Sequence, residues 1–115
     1  MTTILIIDDE RLLCNLLQEV LSSRGYKVYT ANSGVSGIEA FQEQRPQITL
    51  LDLHLPDMEG IEVLKKIRKI SQDAGVAILT GSTSDKQEWE ARKHGVTDFL
   101  TKGLSTGDLI RAVEG

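Results

Sequence analysis

Short apolar runs alternate along the chain with stretches in which apolar residues recur every three or four positions. The run from Thr3 to Ile7 is almost entirely isoleucine and leucine, which is typical of a strand buried on both faces of a parallel sheet. Leucines and valines then recur at helical spacing from Leu12 until Gly25, a natural helix stop. Repetition of the two patterns predicts further strands over residues 26–30, 47–51, 76–79 and 97–101, and helices over residues 33–44, 57–70, 85–94 and from Ser105 onward.

This alternation predicts an α/β fold with one parallel sheet covered by helices on both faces, because each parallel crossover carries a helix. A length of 115 residues and a hydrophobic content of 40% fit one domain over residues 1–115. The alternation leaves the strand order open. In open sheets of this kind ligands bind beyond the carboxyl ends of the strands, so we expect functional residues there.

Charge and cysteine content narrow the classes of function. A formal net charge of −4 argues against a surface built for nucleic-acid phosphates, so we expect no direct nucleic acid binding by this domain. The first apolar run is too short to span a membrane, and two aspartates follow it instead of a cleavage pattern. We therefore expect a soluble, cytoplasmic chain. Cys14 is the single cysteine, and its leucine neighbours indicate a buried thiol.

Residues suited to chemistry follow four of the predicted strands. Asp8 and Asp9 follow the first strand, Asp52 the third, Thr80 the fourth and Lys102 the fifth. Three carboxylates placed together repel one another unless a cation neutralises them, and an oxygen-only site with few ligands suits Mg²⁺. A carboxylate beside Mg²⁺ can accept a phosphoryl group while a lysine stabilises the phosphoryl oxygens. The sequence thus predicts a phosphoacceptor site with Asp52 as nucleophile and Thr80 as the hydroxyl that senses the modification.

Each of these residues also has an ordinary explanation when taken alone. Asp8 or Asp9 would cap the helix that follows. Asp52 would be a solvated loop acid, and Thr80 and Lys102 would be unremarkable residues of loops and surface. Their joint placement, each at the end of its own strand, favours the functional interpretation.

Two stretches resemble motifs of the receiver domains of two-component response regulators. The stretch from Ile4 to Glu10 is similar to the first strand and acidic pair of that family, and the stretch from Asp52 to Gly60 resembles its phosphorylation-site loop. The resemblance extends over nearly the whole chain. It includes Thr80 at the position of the switch hydroxyl, Phe99 at that of the switch aromatic residue, and Lys102.

The resemblance implies a doubly wound, flavodoxin-like sheet with strand order 2-1-3-4-5. It also implies that Mg²⁺ is held by Asp8, Asp9, Asp52 and the backbone carbonyl of His54. The implied function is a signalling switch that catalyses only its own phosphorylation and dephosphorylation. The implied partners are a sensor histidine kinase or phosphotransfer protein and a downstream effector domain or protein, and phosphorylation-dependent dimerisation is compatible with this family.

Several residues depart from the family pattern or call for a separate expectation. Gly103 stands where receivers usually have a proline joined to the lysine by a cis peptide. Glycine does not favour a cis bond, so we expect a looser loop that still supports phosphorylation.

Three features of the predicted helices call for expectations of their own. Gly37 lies inside the second predicted helix and is expected to weaken it by about 1 kcal/mol. Trp89, on a highly charged helix, is expected to be partly buried. A basic cluster on the third helix is expected to be a solvated face: Lys65, Lys66, Arg68 and Lys69.

Two other functions share parts of this pattern. A phosphohydrolase of the haloacid dehalogenase type forms an aspartyl phosphate during turnover, but it needs a second acid two residues after the nucleophile, where this chain has His54. A flavodoxin-type cofactor binder uses a hydroxyl- and amide-rich phosphate loop after the first strand, where Asp8 and Asp9 would repel phosphate. No glycine-rich or Walker-type nucleotide loop is present in the sequence. The short last helix is compatible with a receiver taken from a longer regulator.

Overall fold

Parallel strands alternate with helices throughout residues 2–114, the part of the chain that a computed structural model describes. The strands are β1 Thr3–Ile7, β2 Lys27–Ala31, β3 Ile48–Leu51, β4 Gly75–Thr80 and β5 Asp98–Thr101, and the helices are α1 Arg11–Ser23, α2 Gly34–Gln44, α3 Gly60–Ile70, α4 Asp85–Lys93 and α5 Thr106–Glu114. The sheet order is β2-β1-β3-β4-β5, so the predicted α/β class and the implied order 2-1-3-4-5 are confirmed. Among the described helices, none is long and apolar enough to cross a membrane.

Side chains of β1 alternate between two hydrophobic layers, one on each face of the sheet. Ile4 and Ile6 pack in the layer that contains residues of α1 and α5, whereas Leu5 and Ile7 pack in the layer that contains residues of α2, α3 and α4. All four side chains are at most 1% exposed. Burial on both faces explains why the strand sequence is a continuous apolar run, as the pattern predicted.

Glycine at position 37 allows α2 to lie close against β1. A Cβ placed on Gly37 would lie 2.7 Å from Cγ2 of Ile7, well inside van der Waals contact. The helix is continuous through this position from Gly34 to Gln44. Packing against Ile7 therefore accounts for a glycine that helix propensity alone disfavours.

The third helix begins three residues later than its predicted start at Asp57. The carboxylate of Asp57 accepts hydrogen bonds from the backbone N–H groups of Gly34 (2.7 Å) and Val35 (2.9 Å), at the beginning of α2. Gly60 donates its own N–H to the carbonyl of Leu53 at 2.7 Å. These contacts hold residues 57–59 in a loop, so the predicted boundary is wrong for a reason that lies outside the helix itself.

Trp89 corrects another expectation, since its side chain is 64% exposed. Ala91 is instead the buried residue of α4. The ammonium of Lys93 lies 5.1 Å from the centroid of the Trp89 ring, a distance at which a cation and an aromatic face attract each other. The indole of Trp89 thus lies on the surface of α4, and this helix has little buried apolar surface to hold it in place.

Arg68 differs from the rest of its basic cluster, where a solvated face was expected. Its guanidinium donates hydrogen bonds to the carbonyls of His94 (2.6 Å), Ala74 (2.7 Å) and Gly95 (3.0 Å). Burial lowers the pKa of this guanidinium from its ordinary value. The expectation is therefore wrong for Arg68, which joins the end of α3 to the turns before β4 and β5. Lys66 and Lys69 are exposed as expected.

Cys14 is 1% exposed, which confirms the expected burial of the thiol. Its Sγ lies 3.4 Å from the carbonyl oxygen of Asp8. Burial raises the pKa of the Cys14 thiol to about 11. The residue acts as a small core side chain beneath the edge of the sheet.

Candidate functional site

Four of the predicted site residues meet at the carboxyl edge of the sheet. Asp8 directly follows β1, Asp52 follows β3 and Lys102 follows β5, whereas Thr80 is the last residue of β4 and not the first residue after it. Asp8, Asp52 and Thr80 are at most 3% exposed. The parallel topology brings these residues together because all four strands end at the same edge.

Both carboxylate oxygens of Asp52 face hydrogen-bond donors. Oδ1 accepts from the hydroxyl of Thr80 at 2.9 Å and from the backbone N–H of His54 at 3.2 Å. Oδ2 accepts from Nζ of Lys102 at 2.9 Å. A buried carboxylate is thereby held in one orientation by a hydroxyl, an amide and an ammonium.

The ammonium of Lys102 is shared among three carboxylates. It lies 2.9 Å from Oδ2 of Asp52 and 3.1 Å from Oδ2 of Asp8, and it also contacts the carboxylate of Glu10. Burial by itself lowers the pKa of Lys102, but the hydrogen bonds to Glu10, Asp52 and Asp8 raise it above its ordinary value. Lys102 is therefore positively charged at neutral pH.

Burial raises the pKa of Asp8, and this effect exceeds the opposing effects of the Glu10 N–H and of Lys102. The N–H of Glu10 lies 2.9 Å from Oδ1 of Asp8. The negative charge of Asp52 raises the pKa of Asp8 further. Asp8 is thus a carboxylate whose ionised form would be stabilised by additional positive charge.

Glu10, which the sequence prediction did not include, belongs to this group, whereas Asp9 does not. Within residues 2–114, carboxylate oxygens of Asp8, Glu10 and Asp52 all lie within 4.8 Å of one another. Asp9 is exposed, so the structure does not bring this predicted metal ligand into the cluster. The position of Glu10 directly after the acidic pair is a weak signal, since only the approach of Lys102 from β5 distinguishes Glu10 from Asp9.

The donor set fits a hard divalent cation. Three carboxylates and one ammonium leave two negative charges uncompensated within a small volume. Oxygen-only ligands with partial burial are what Mg²⁺ and Ca²⁺ prefer. The residues present could therefore hold such a cation, which would also relieve the repulsion between Asp8 and Asp52.

The loop after Asp52 is held by a glycine and by a histidine. A Cβ placed on Gly60 would lie 2.3 Å from the carbonyl oxygen of Asp52 and 2.5 Å from Cα of Leu53, so only glycine allows α3 to begin against this loop. On the other side, Nε2 of His54 lies 2.9 Å from the carbonyl oxygen of Ser82. The two loops that flank the carboxylates are thus in direct contact.

Phe99 and Gly103 lie on the strand and loop that carry Lys102. Phe99 is half-buried in β5, opposite Ile78 of β4, and it packs against the layer that includes Ala91. Gly103 has a φ of +102°, and residues 2–114 contain no cis peptide bond. The positive φ is one that glycine adopts readily, and the looser loop expected at Gly103 stays a prediction.

Residues 4–114 match the family model of the response regulator receiver domain. The chain belongs to that family. Receiver domains of response regulators are signalling switches, not enzymes that turn over a separate substrate, and they interact with histidine kinases and effector domains. The family resemblance of the two sequence motifs is therefore confirmed.

Known receiver proteins share both sequence and architecture with this chain. The probable transcriptional regulatory protein TcrX of Mycobacterium tuberculosis is 33% identical over 108 residues, which are 94% of this chain and 46% of that protein. The chain thus spans about half the length of this curated relative. A receiver domain from Methanospirillum hungatei superposes with a TM-score of 0.97 at 26% identity, covering 99% of this chain and 91% of that one.

A further similar structure is a response regulator from Burkholderia pseudomallei, described with a phosphorylated aspartic acid, a calcium ion and citrate. It has a TM-score of 0.90 and 25% identity, and it covers 97% of this receiver domain and 66% of that chain. The likeness confirms the fold over almost the whole receiver domain.

Proposed function

We propose that this receiver domain is a phosphorylation switch in which Asp52 accepts a phosphoryl group from a sensor histidine kinase or a phosphotransfer protein. The observation that carries the proposal is the arrangement around Asp52. The buried carboxylate of Asp52 is contacted at 2.9 Å by the Thr80 hydroxyl and at 2.9 Å by the Lys102 ammonium. A fixed nucleophile beside a permanent cation suits phosphoryl transfer, which depends mainly on positioning and charge stabilisation.

In the proposed reaction a carboxylate oxygen of Asp52 attacks phosphorus, and the bond from phosphorus to the histidine nitrogen of the donor breaks. The electron pair of that bond leaves with the imidazole, and Asp52 becomes an acyl phosphate. The Lys102 ammonium stabilises the negative charge on the phosphoryl oxygens. Thr80 turns its hydroxyl from the Asp52 carboxylate to a phosphoryl oxygen, which makes it the sensor.

We assign Mg²⁺ as the cation, with Asp8 and Asp52 as ligands and with Asp9 and the backbone carbonyl of His54 as the further ligands that the family resemblance implies. When bound, Mg²⁺ supplies Lewis-acid stabilisation of the phosphoryl oxygens. The clustered carboxylates of Asp8 and Asp52 support their part of this assignment, whereas Asp9 and the His54 carbonyl rest on the family resemblance. The phosphorylated aspartate and calcium ion described for the Burkholderia regulator support it as well.

The output of the switch is proposed to pass through β4, β5 and α4. Thr80 at the end of β4 pairs with Thr101 of β5, and Phe99 lies two residues earlier on the same strand. Movement of Thr80 and Phe99 changes the packing beneath α4, whose buried contact is Ala91. This surface would be the one that an effector domain, an effector protein or a second copy distinguishes after phosphorylation.

A longer regulator is the proposed setting for this domain. The Mycobacterium relative is about twice as long and is described as a probable transcriptional regulatory protein. A net charge of −4 argues against direct nucleic acid binding by the receiver itself, so regulation of transcription would need a further domain or a partner. We propose a cytoplasmic location, where kinases would supply the phosphoryl group.

The test is incubation with acetyl phosphate, with and without Mg²⁺, followed by intact-mass measurement. We expect a Mg²⁺-dependent gain of one phosphoryl group in the native chain and no gain in Asp52→Asn. Asp57→Asn, which changes an exposed carboxylate of the same loop, is the control and should gain the phosphoryl group as the native chain does. A native protein that gains no mass, or an Asp52→Asn variant that gains as much, would contradict the proposal. Repeated release of phosphate without stoichiometric modification would indicate a phosphohydrolase instead.

A further inference from the structure

Among the three carboxylate partners of Lys102, Glu10 differs from the other two. Asp8 and Asp52 are the buried ligands assigned to Mg²⁺, whereas the Glu10 side chain is 57% exposed at the rim of the site. A divalent cation bound by Asp8 and Asp52 would attract their carboxylate oxygens and repel the ammonium of Lys102, because opposite charges attract and like charges repel at this range. Glu10 is then the partner of Lys102 that need not be shared with the metal.

The backbone beyond Lys102 offers little restraint on its position. The backbone N–H of Lys102 donates a hydrogen bond to the carbonyl of Thr80 at 2.8 Å, which fixes the backbone on the N-terminal side of this residue. The next residue, Gly103, is exposed with a φ of +102°, and a Cβ placed there would have no neighbour within 4 Å. The ammonium is therefore positioned chiefly by the carboxylates it contacts.

We propose that Glu10 is a positioning residue that keeps the Lys102 ammonium at the mouth of the site while the cation occupies Asp8 and Asp52. This inference rests on the proposed function. Glu10 touches neither phosphorus nor its oxygens and acts through Lys102. Glu10 thereby restrains the position of the Lys102 ammonium, as a less flexible loop after Lys102 would.

A double-mutant cycle tests this role. The rate constant of acetyl phosphate modification is measured at saturating Mg²⁺ for the native chain, Glu10→Gln, Lys102→Ala and the double variant. We expect Glu10→Gln to slow modification about fivefold, as suits one solvent-accessible charge pair, and Glu10→Asp to recover part of the rate. In the Lys102→Ala background Glu10→Gln should have no further effect. Glu39→Gln, an exposed residue of α2, controls for the loss of one negative charge.

A second readout needs no phosphoryl donor. In ¹⁵N-labelled, Mg²⁺-loaded protein the Lys102 ammonium is expected to give a side-chain signal protected from exchange, which Glu10→Gln abolishes and Glu39→Gln retains. If the native protein shows this signal but is not modified by acetyl phosphate, the proposed function fails and the positioning of Lys102 by Glu10 stands.

Three results would overturn the inference. The first is a Glu10→Gln variant that is modified as fast as the native chain or faster. The second is an equal slowing by Glu10→Gln in the native and Lys102→Ala backgrounds, since Glu10 would then act independently of Lys102. The third is a more than tenfold loss of Mg²⁺ affinity in Glu10→Gln by calorimetric titration, which would make Glu10 a metal ligand.

Discussion

Gly60 sets how closely α3 approaches the backbone that carries Asp52. An alanine there would place its Cβ 2.3 Å from the carbonyl oxygen of Asp52, and backbone atoms cannot yield as a flexible side chain can. We expect Gly60→Ala to lower the free energy of unfolding by about 2 kcal/mol and to slow acetyl phosphate modification, because the Asp52 carboxylate shifts with its backbone. Urea unfolding and intact-mass kinetics measure the two effects.

Gly107 provides the matched control for that substitution. It lies in α5, where a Cβ would meet atoms only at 3.7 Å and beyond. Alanine has a helix propensity about 1 kcal/mol better than glycine, so Gly107→Ala should stabilise the domain slightly and leave modification unchanged. Equal stability of the two variants would show that the contact between α3 and the Asp52 loop is not close.

Thr49 is a buried hydroxyl without a hydrogen-bond partner among residues 2–114. It lies in the middle of β3, between Leu5 of β1 and Val76 of β4. Replacement by valine removes the cost of burying an unpaired hydroxyl, so we expect Thr49→Val to raise the free energy of unfolding by about 1 kcal/mol.

The control for Thr49 is Thr97→Val. The hydroxyl of Thr97 donates to the carbonyl of Val76 at 3.1 Å, so this substitution should destabilise the domain or leave its stability unchanged. A destabilising Thr49→Val would mean that the Thr49 hydroxyl is hydrogen-bonded in solution. Both variants are compared by their midpoints of urea unfolding.

Individual residues were the hardest features to predict from the sequence. The exposure of Trp89 and the carbonyl contacts of Arg68 depend on where neighbouring elements lie, and helical spacing does not contain that information. The unpaired hydroxyl of Thr49 is equally invisible, because an isolated threonine in an apolar strand is ordinary.

At the scale of elements, Asp57 links the loop after β3 to the beginning of α2. The N–H groups of Val35 and Gly34 hold the pKa of this carboxyl below its usual value. The resulting stabilisation is fully present above the unfolded-state pKa near 4 and is lost as pH falls through the lowered pKa of the folded state. We therefore expect Asp57→Asn to be less stable than the native chain at pH 7, by an amount that shrinks toward pH 3.

Urea unfolding at pH 7, 5 and 3 measures this difference. Glu39→Gln, on the same helix, is the control for the loss of one charge. A difference between Asp57→Asn and the native chain that stays constant with pH would show that the ionised Asp57 carboxylate does not cap α2.

The central strands were predicted because burial on both faces of the sheet makes β1, β3 and β4 nearly continuous apolar runs. β1 was predicted at its observed bounds, 3–7, and β4 was predicted within one residue at each end. The start of α3 was not, since it depends on contacts from Asp57 to α2 and from Gly60 to Leu53. Those contacts join residues far apart in sequence, which local periodicity does not reveal.

For the whole molecule, the clustered carboxylates predict that a divalent cation stabilises the fold. A ligand that binds only the folded state adds about 2.7 kcal/mol to the unfolding free energy at one hundred times its Kd. We expect the Tm to rise with Mg²⁺ concentration, and the rise to shrink in Asp8→Asn and Asp52→Asn. Thermal unfolding followed by circular dichroism, at constant ionic strength set with NaCl, provides the measurement. An equal rise in the native chain and both variants would place the cation elsewhere.

The central residues of the site could be predicted from the sequence because the topology of the sheet determines which strand ends lie together. Once the strands are parallel, residues that end separate strands, such as Asp52 and Lys102, must share one edge. Glu10 was missed and Asp9 was preferred because both belong to the same short turn between β1 and α1. The contact that distinguishes Glu10 comes from Lys102, which lies 92 positions later in the chain.

The burial of Cys14 makes this chain convenient for site-specific labelling. With a pKa of about 11, about one thiol in ten thousand is ionised at pH 7, and the thiolate is the reactive form. A maleimide dye would therefore attach selectively to a single cysteine introduced at an exposed position such as Lys93, with the native residue left in place. Movements of α4 could then be followed by fluorescence in an otherwise unaltered core.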